Sequence, residues 1–149
     1  MTAKRTAFVT GASQGLSAEI AVALAQDGCD VAVSSRRVER LSDTLGRIEA
    51  AGGRGVPVEL DVRSHSSMER AMAEVAGAFG HVDTLVNNAA VTLRRTALEM
   101  TREEWDELMS VNLKGVFFMS QQMGRHLVAK RQPGCIVSLA STHGMVGFA

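Results

Sequence analysis

Tyrosine is absent from the sequence, cysteine occurs twice, and the charges leave no surplus of either sign. Each shortage removes a class of function. Without tyrosine, no phenol within these residues can serve as an acid or base. Sixteen basic residues offset sixteen acidic ones, so there is no electrostatic footprint for nucleic acid and no polyanion partner is expected. Cys29 and Cys135 lie far apart, with no Cys-x-x-Cys spacing and no metal-ligand pattern. They read as two buried, reduced thiols of a cytosolic protein, and no metal site is expected. No apolar segment reaches the length of a bilayer span, and the apolar run after Lys4 and Arg5 is too short for a signal peptide. The expectation is a cytoplasmic protein with no membrane partner. Linkers, repeats and low-complexity segments are also missing. What remains is a globular composition, 46% hydrophobic against 21% charged over 149 residues, enough for one domain with a real core.

The most informative stretch runs from Ala7 to Ser17. A short apolar run (Ala7, Phe8, Val9) meets Gly11 and Gly15, and an amphipathic pattern with Leu16, Ile20 and Leu24 follows at once. That order predicts a strand, a tight glycine turn and a helix N-terminus. Glycine there lets backbone N–H groups approach a phosphate, whose charge the helix dipole favours. Such a turn opens a dinucleotide-binding unit, although two glycines after a strand also serve ordinary loops.

Four more strand–helix alternations follow. Gly28 closes the first helix, and Asp30 to Ser35 reads as a buried strand. Val38, Leu41, Leu45 and Ile48 recur at helical spacing up to Gly52-Gly53. Val56 to Leu60 is the third strand. Ser66 and Glu69 form a predicted capping box ahead of an apolar stripe of Met68, Met72, Val75 and Phe79, which Gly80 ends. Val82 to Val86 is the fourth strand. Thr101 and Glu104 make a second capping box, with Met100 and Trp105 as a hydrophobic staple, opening a helix that reaches towards Lys130. The middle of that helix, Val111 to Met119, is apolar around most of its circumference and needs covering on two sides. Pro133-Gly134 breaks the pattern before the fifth strand, Cys135 to Ala140. The alternation predicts an α/β fold, a Rossmann-like doubly wound parallel sheet in the order 3-2-1-4-5 with helices on both faces.

These pieces together resemble the N-terminal part of a short-chain dehydrogenase/reductase. The family's Thr-Gly-x-x-x-Gly-x-Gly motif appears as Thr10-Gly11-Ala12-Ser13-Gln14-Gly15-Leu16-Ser17, with Ser17 for the third glycine. Its Asn-Asn-Ala-Gly signature appears as Asn87-Asn88-Ala89-Ala90, with Ala90 for the last glycine. The family's strand-three pair is Asp61-Val62, its mid-helix asparagine Asn112, and its strand-five serine Ser141. The resemblance covers all 149 residues in order. It implies a single dinucleotide-binding domain over residues 1–149 that is truncated after strand five, hence a sheet incomplete on its C-terminal side.

The resemblance also implies an oxidoreductase moving a hydride between a nicotinamide cofactor and a small carbonyl or alcohol substrate. It assigns cofactor binding to Thr10, Gly11, Ser13, Gln14, Gly15, Leu16, Ser35, Arg36, Asp61, Val62, Asn88 and Ala89. Of these, Asp61 and Val62 would contact the adenine. The end of strand two, Ser34-Ser35-Arg36-Arg37, carries no acid for a ribose 2′-OH but does carry arginines suited to a 2′-phosphate, which favours NADP over NAD. Against this, the arginines also read as solvated residues opening a helix, and Gln14 stands where NADP-dependent relatives often have a second basic residue. Ser141 would hold and polarise the substrate oxygen, and Asn112 would anchor a water in a proton relay. A purely structural Asn112, bonded to nearby backbone, is the alternative. His65, His81 and His126 read as surface residues, and His143 beside Ser141 lacks the surroundings of a hydrolase site.

The family's general acid/base tyrosine and its lysine lie beyond Ala149, so the 149-residue chain alone is expected to be inactive. A non-catalytic nucleotide-binding or interaction module is therefore the competing reading. The substrate stays open between 3-oxoacyl, sugar-type and steroid carbonyls. The long helix, at the family's subunit interface, implies a homodimer or homotetramer.

Overall fold

The computed structural model describes residues 4–146. Five strands, β1 (Thr6–Val9), β2 (Asp30–Ser35), β3 (Gly55–Glu59), β4 (Thr84–Asn87) and β5 (Cys135–Ser138), form one sheet in the order β3-β2-β1-β4-β5. Every pairing is parallel, and the register sets Phe8 beside Ala32 and Leu85. The pleat then sorts alternate side chains to opposite faces. Phe8, Ala32, Val58 and Leu85 join one core with Met68, Met72, Val75, Met119 and Met123 of α3 (His65–Phe79) and α5 (Val116–Lys130). Val9, Val31, Val33 and Val86 join the other with residues of α1 (Leu16–Gln26) and α2 (Ser42–Ala50). Both faces of the sheet are covered, as a parallel sheet requires. Its strand order reverses between β1 and β4, which opens a crevice at the strand C-termini.

Some local expectations shift. In α1 the buried face is Ala18, Ala21 and Ala25 with Ser17, while Ile20 and Leu24 are half-buried and Leu16 is exposed. Small residues let the helix lie close to the sheet, and the Gly15 turn leaves Leu16 facing the crevice. The Ser66 capping box does not form. The Ser64 N–H closes a turn onto the Asp61 carbonyl at 3.0 Å, so α3 starts earlier, and the Ser64 hydroxyl accepts the Ser67 N–H. Glu69 pairs with His65 instead of reaching back to a cap. Cys29 is buried, and that burial pushes its thiol up; Cys135 is exposed, because β5 is the sheet edge and its side chains lie open. His126 is not a free surface residue: its Nε2 accepts the Val82 N–H at 3.1 Å, and burial lowers its pKa.

The Thr101 capping box is present in both directions and starts α4 (Arg102–Met109). The long helix continues through a π turn at Ser110–Gly115 into α5. Gly115 is where this helix presses on the loop after β3; a Cβ there would sit 2.9 Å from Val62 Cγ2. Leu113 and Phe117 face outward on the other side.

Candidate functional site

The crevice is shaped by two turns that lock together. Gly11 leaves β1 with φ +68° and Gly15 precedes α1 with φ +66°, values that suit glycine. A Cβ on Gly11 would lie 2.8 Å from Ala89 Cα, so only glycine lets the first turn nest against the turn after β4. Thr10, which is fully buried, joins the two: its hydroxyl donates to the Val86 carbonyl and accepts the N–H groups of Asn88 (3.0 Å) and Ala89 (3.1 Å). Ser17 ties the glycine turn internally, donating to the carbonyls of Gly11 (2.8 Å) and Gln14 (3.2 Å). Thr44 of α2 holds the same turn from behind through the Ala12 carbonyl at 2.9 Å, and the Ala12 N–H bonds the Ser34 carbonyl.

Between these turns and the ends of β2 and β3 lies an open cleft of about 760 Å³. Gly11, Ser13, Gln14 and Leu16 line it from the glycine turn, and Ser35 and Arg36 from the end of β2. Asp61 and Val62 line it from the end of β3, and Asn88 and Ala89 from the turn after β4. Four arginines, Arg36, Arg37, Arg40 and Arg63, share the wall with Asp61, the one carboxylate among the described lining residues. Among the described residues no ion pair engages Arg36, Arg37 or Arg40. Arg63 differs. Its Nε and Nη2 bond the Asp61 carboxylate, at 2.6 Å for the shortest pair, and its Nη1 bonds both oxygens of Glu107 from α4. The Arg63 guanidinium holds the Asp61 carboxyl below the usual range, and the two carboxylates push Arg63 still higher. Among the described residues no group of three or more His, Cys, Asp or Glu could hold a metal ion.

The family model for short chain dehydrogenases matches residues 5–149. The chain belongs to that family. Among curated proteins it is 38% identical to 2-dehydro-3-deoxy-D-gluconate 5-dehydrogenase of Escherichia coli, covering 92% of this chain and 53% of the relative. It is 34% identical to a 3-oxoacyl-acyl-carrier-protein reductase of Staphylococcus epidermidis, covering 96% and 59%. Two solved structures superpose closely. One is a short-chain type dehydrogenase/reductase from Mycobacterium marinum, with TM-score 0.95, 30% identity and coverage of 97% and 58%. The other is a variant of actinorhodin polyketide ketoreductase with NADPH, with TM-score 0.93, 36% identity and coverage of 98% and 56%. The chain thus spans between half and two thirds of the length of these relatives.

Within this short-chain dehydrogenase chain, the residues singled out from sequence divide into two groups. Those in the cleft wall are named above. Thr10 and Gly15 stand behind it, as the latch and the helix-starting bend. Asn112 lies in the π turn, where its carboxamide spans the Val91 backbone: Oδ1 accepts the N–H at 2.9 Å and Nδ2 donates to the carbonyl at 2.8 Å. This is the backbone-bonding alternative, and it still leaves one amide hydrogen and one lone pair for a water. Ser141 is exposed and caps the short 3-10 turn Thr142–Gly144, accepting the His143 N–H at 3.2 Å. Asn87 is buried and bonds Ser120 and Ser138, tying β4 to α5 and β5. The substituted positions cost little: Ser17 adds two hydrogen bonds, and Ala90 sits in the cleft wall without strain in its φ.

Ser34, Arg40 and Arg63 line the cleft although sequence reasoning did not select them. Two of them had a readable signal. Arg40 falls three residues beyond Arg37 in a short 3-10 turn (Val38–Leu41), and Arg63 follows Asp61 by two. Ser34 had none, because a serine in an apolar strand reads as filler.

Proposed function

We propose that this chain is the cofactor-binding domain of an NADP(H)-dependent oxidoreductase. The enzyme would act on a small carbonyl or alcohol, and residues 1–149 would be one dinucleotide-binding domain. The observation that carries the cofactor choice is the end of β2, where Arg36, Arg37 and Arg40 line the cleft without ion-pair partners and no carboxylate stands at the strand end. An acid there would accept from a ribose 2′-OH and repel a 2′-phosphate, whereas unpaired guanidinium groups grip the phosphate. The glycine turn, with Gly11, Ser13, Gln14 and Leu16 on the cleft, fits a pyrophosphate at the α1 N-terminus. When bound, the cofactor supplies or accepts the hydride.

The chain's own residues would position the rest. Asn88 and Ala89 lie along the inner wall, latched by Thr10. Asn112 fixes Val91, another wall residue, and keeps enough hydrogen-bonding capacity for one water. Ser141 would hold the substrate oxygen, with a tyrosine and lysine from outside these residues completing proton transfer. A carbonyl within a 3-oxoacyl or sugar-type substrate suits the relatives' names. The outward Leu113 and Phe117 support a homodimer or homotetramer built on the long helix. The protein would work in the cytoplasm, without nucleic acid, metal or membrane.

Fluorescence titration of the full-length protein with NADPH and NADH tests the reading. Wild type should bind NADPH more tightly, and Arg36→Ala with Arg37→Ala should remove that preference by about tenfold, the scale of a charge-assisted contact. Tighter NADH binding, or no binding of either, would overturn it. The competing reading is a binding module without turnover. NADPH binding with no carbonyl reduction by the full-length protein would establish that module instead.

A further inference from the structure

The cleft contains two kinds of arginine, and the difference assigns them different parts of a ligand. Arg36, Arg37 and Arg40 bring positive charge to the end of β2, and no ion pair among the described residues engages them. Arg63 stands at the end of β3 between two carboxylates, so its cluster carries one net negative charge and does not attract a phosphate. The partners also fix its geometry. Asp61 takes the Nε and Nη2 side at 2.9 and 2.6 Å, and Glu107 takes Nη1 at 3.1 and 3.2 Å. N–H donors of a guanidinium point outward in its plane, so both carboxylates occupy in-plane directions. Yet the Arg63 side chain remains 37% exposed and lines the cleft. What a guanidinium held by its edges offers a ligand is its flat face.

We propose that Arg63 is a stacking platform for the adenine ring of the cofactor, held flat by Asp61 and Glu107; this rests on the cofactor reading given above. A guanidinium face pairs well with a flat aromatic ring and does so without requiring net charge. Asp61 then acts on the adenine partly through Arg63, because most of its acceptor positions are already engaged by the Arg63 side chain and backbone N–H. Glu107, on α4, has no place in the cleft wall and is a positioning residue: it pins the third nitrogen and stops the ring plane from turning.

Calorimetric titration of the full-length protein with 2′,5′-ADP, which has the adenine and the 2′-phosphate but no nicotinamide, tests the assignment. Arg63→Ala should weaken binding by roughly 5- to 100-fold, the range seen when one base loses its stacking partner. Arg63→Tyr restores a flat face without charge and should recover most of the affinity. Arg63→Lys restores charge without a face and should bind as weakly as Arg63→Ala. Glu107→Gln should weaken binding by a smaller factor with the Arg63 residue intact. Adenine hypochromism at 260 nm should appear with wild type and Arg63→Tyr and be absent with Arg63→Lys. If Arg63→Lys binds like wild type while Arg63→Tyr binds like Arg63→Ala, Arg63 acts as a charge and the platform is wrong. Unchanged affinity in Arg63→Ala also overturns the platform. Failure of wild type to bind 2′,5′-ADP overturns the cofactor reading itself, a result separate from either of those.

Discussion

Replacing Gly11 by alanine should separate two costs that a glycine turn usually combines. The first is conformational. Gly11 has φ +68°, and an L-residue in that region loses about 1–2 kcal/mol. The second is steric. The new Cβ would sit 2.8 Å from Ala89 Cα and 3.2 Å from both Ala89 Cβ and Ala89 N. The closest of these is backbone, which cannot swing aside like the end of a long side chain. Moving Ala89 would strain the Thr10 latch, whose hydroxyl accepts the Asn88 and Ala89 N–H groups. Weakening those bonds adds about 1 kcal/mol each. Gly11→Ala should therefore destabilise by about 3–4 kcal/mol in total. Gly28 is the control. It too has a positive φ, +86°, but nothing lies within 4 Å of its hypothetical Cβ. Gly28→Ala should lose only the conformational part, about 1–2 kcal/mol. Urea unfolding of both variants measures the difference, and NADPH titration should show weakened binding in Gly11→Ala alone. If the two variants unfold at the same urea concentration, the close approach of the two turns is not what holds glycine at position 11.

Thr10→Val keeps the shape but leaves the partly buried Asn88 and Ala89 N–H groups without their acceptor. It should destabilise by about 2–3 kcal/mol and speed hydrogen exchange at those two amides. Ser34→Ala should behave oppositely: the Ser34 hydroxyl is buried with no hydrogen-bond partner among the described residues, so its removal should leave urea stability unchanged or raise it by about 1 kcal/mol. The pH dependence follows from His126, whose folded-state pKa is lowered by burial, then by Lys130 and His81. A depressed histidine takes up its proton later when folded than when unfolded, so its contribution is intact above about pH 6.5 and lost as pH falls through the folded pKa. Unfolding midpoints measured between pH 8 and 5 should fall on the acid side, and His126→Gln should flatten that slope while its amide oxygen still accepts the Val82 N–H.

The sheet was legible because its information is local. Each strand is a short apolar run bounded by glycine, proline or a polar turn, and the order of strands and helices leaves few ways to wind them. Gly28, Gly52 and Gly80 all adopt positive φ where the helical patterns end. Legibility failed where a local turn of the backbone sets the outcome. Ser64 takes the cap expected of Ser66 because the Asp61 carbonyl closes a turn first. By spacing Leu16 joins the apolar stripe of α1, while the resemblance put it with the cofactor-binding residues, and the bend at Gly15 turns it into the cleft. In the candidate site, the glycine turn could be read from spacing, and the Asp61 and Asn88 positions came from the family resemblance. The engagement of Arg63 by Glu107 and of Asn112 by Val91 could not be read, since each depends on the pairing of side chains with partners on other elements.

The π turn at Ser110–Gly115 sets the rotational phase of everything that follows it. α4 before it buries none of its residues, whereas α5 after it places Met119 and Met123 fully inside the core. Rewinding the turn as ordinary α-helix at unchanged length would rotate α5 by about 100°, carrying both methionines off the sheet, whereas deleting one residue as the turn rewinds would leave α5 in phase. At this point in the chain, then, length and winding are coupled: the wide turn takes up one extra residue, and which side of α5 faces the core depends on the two changing together.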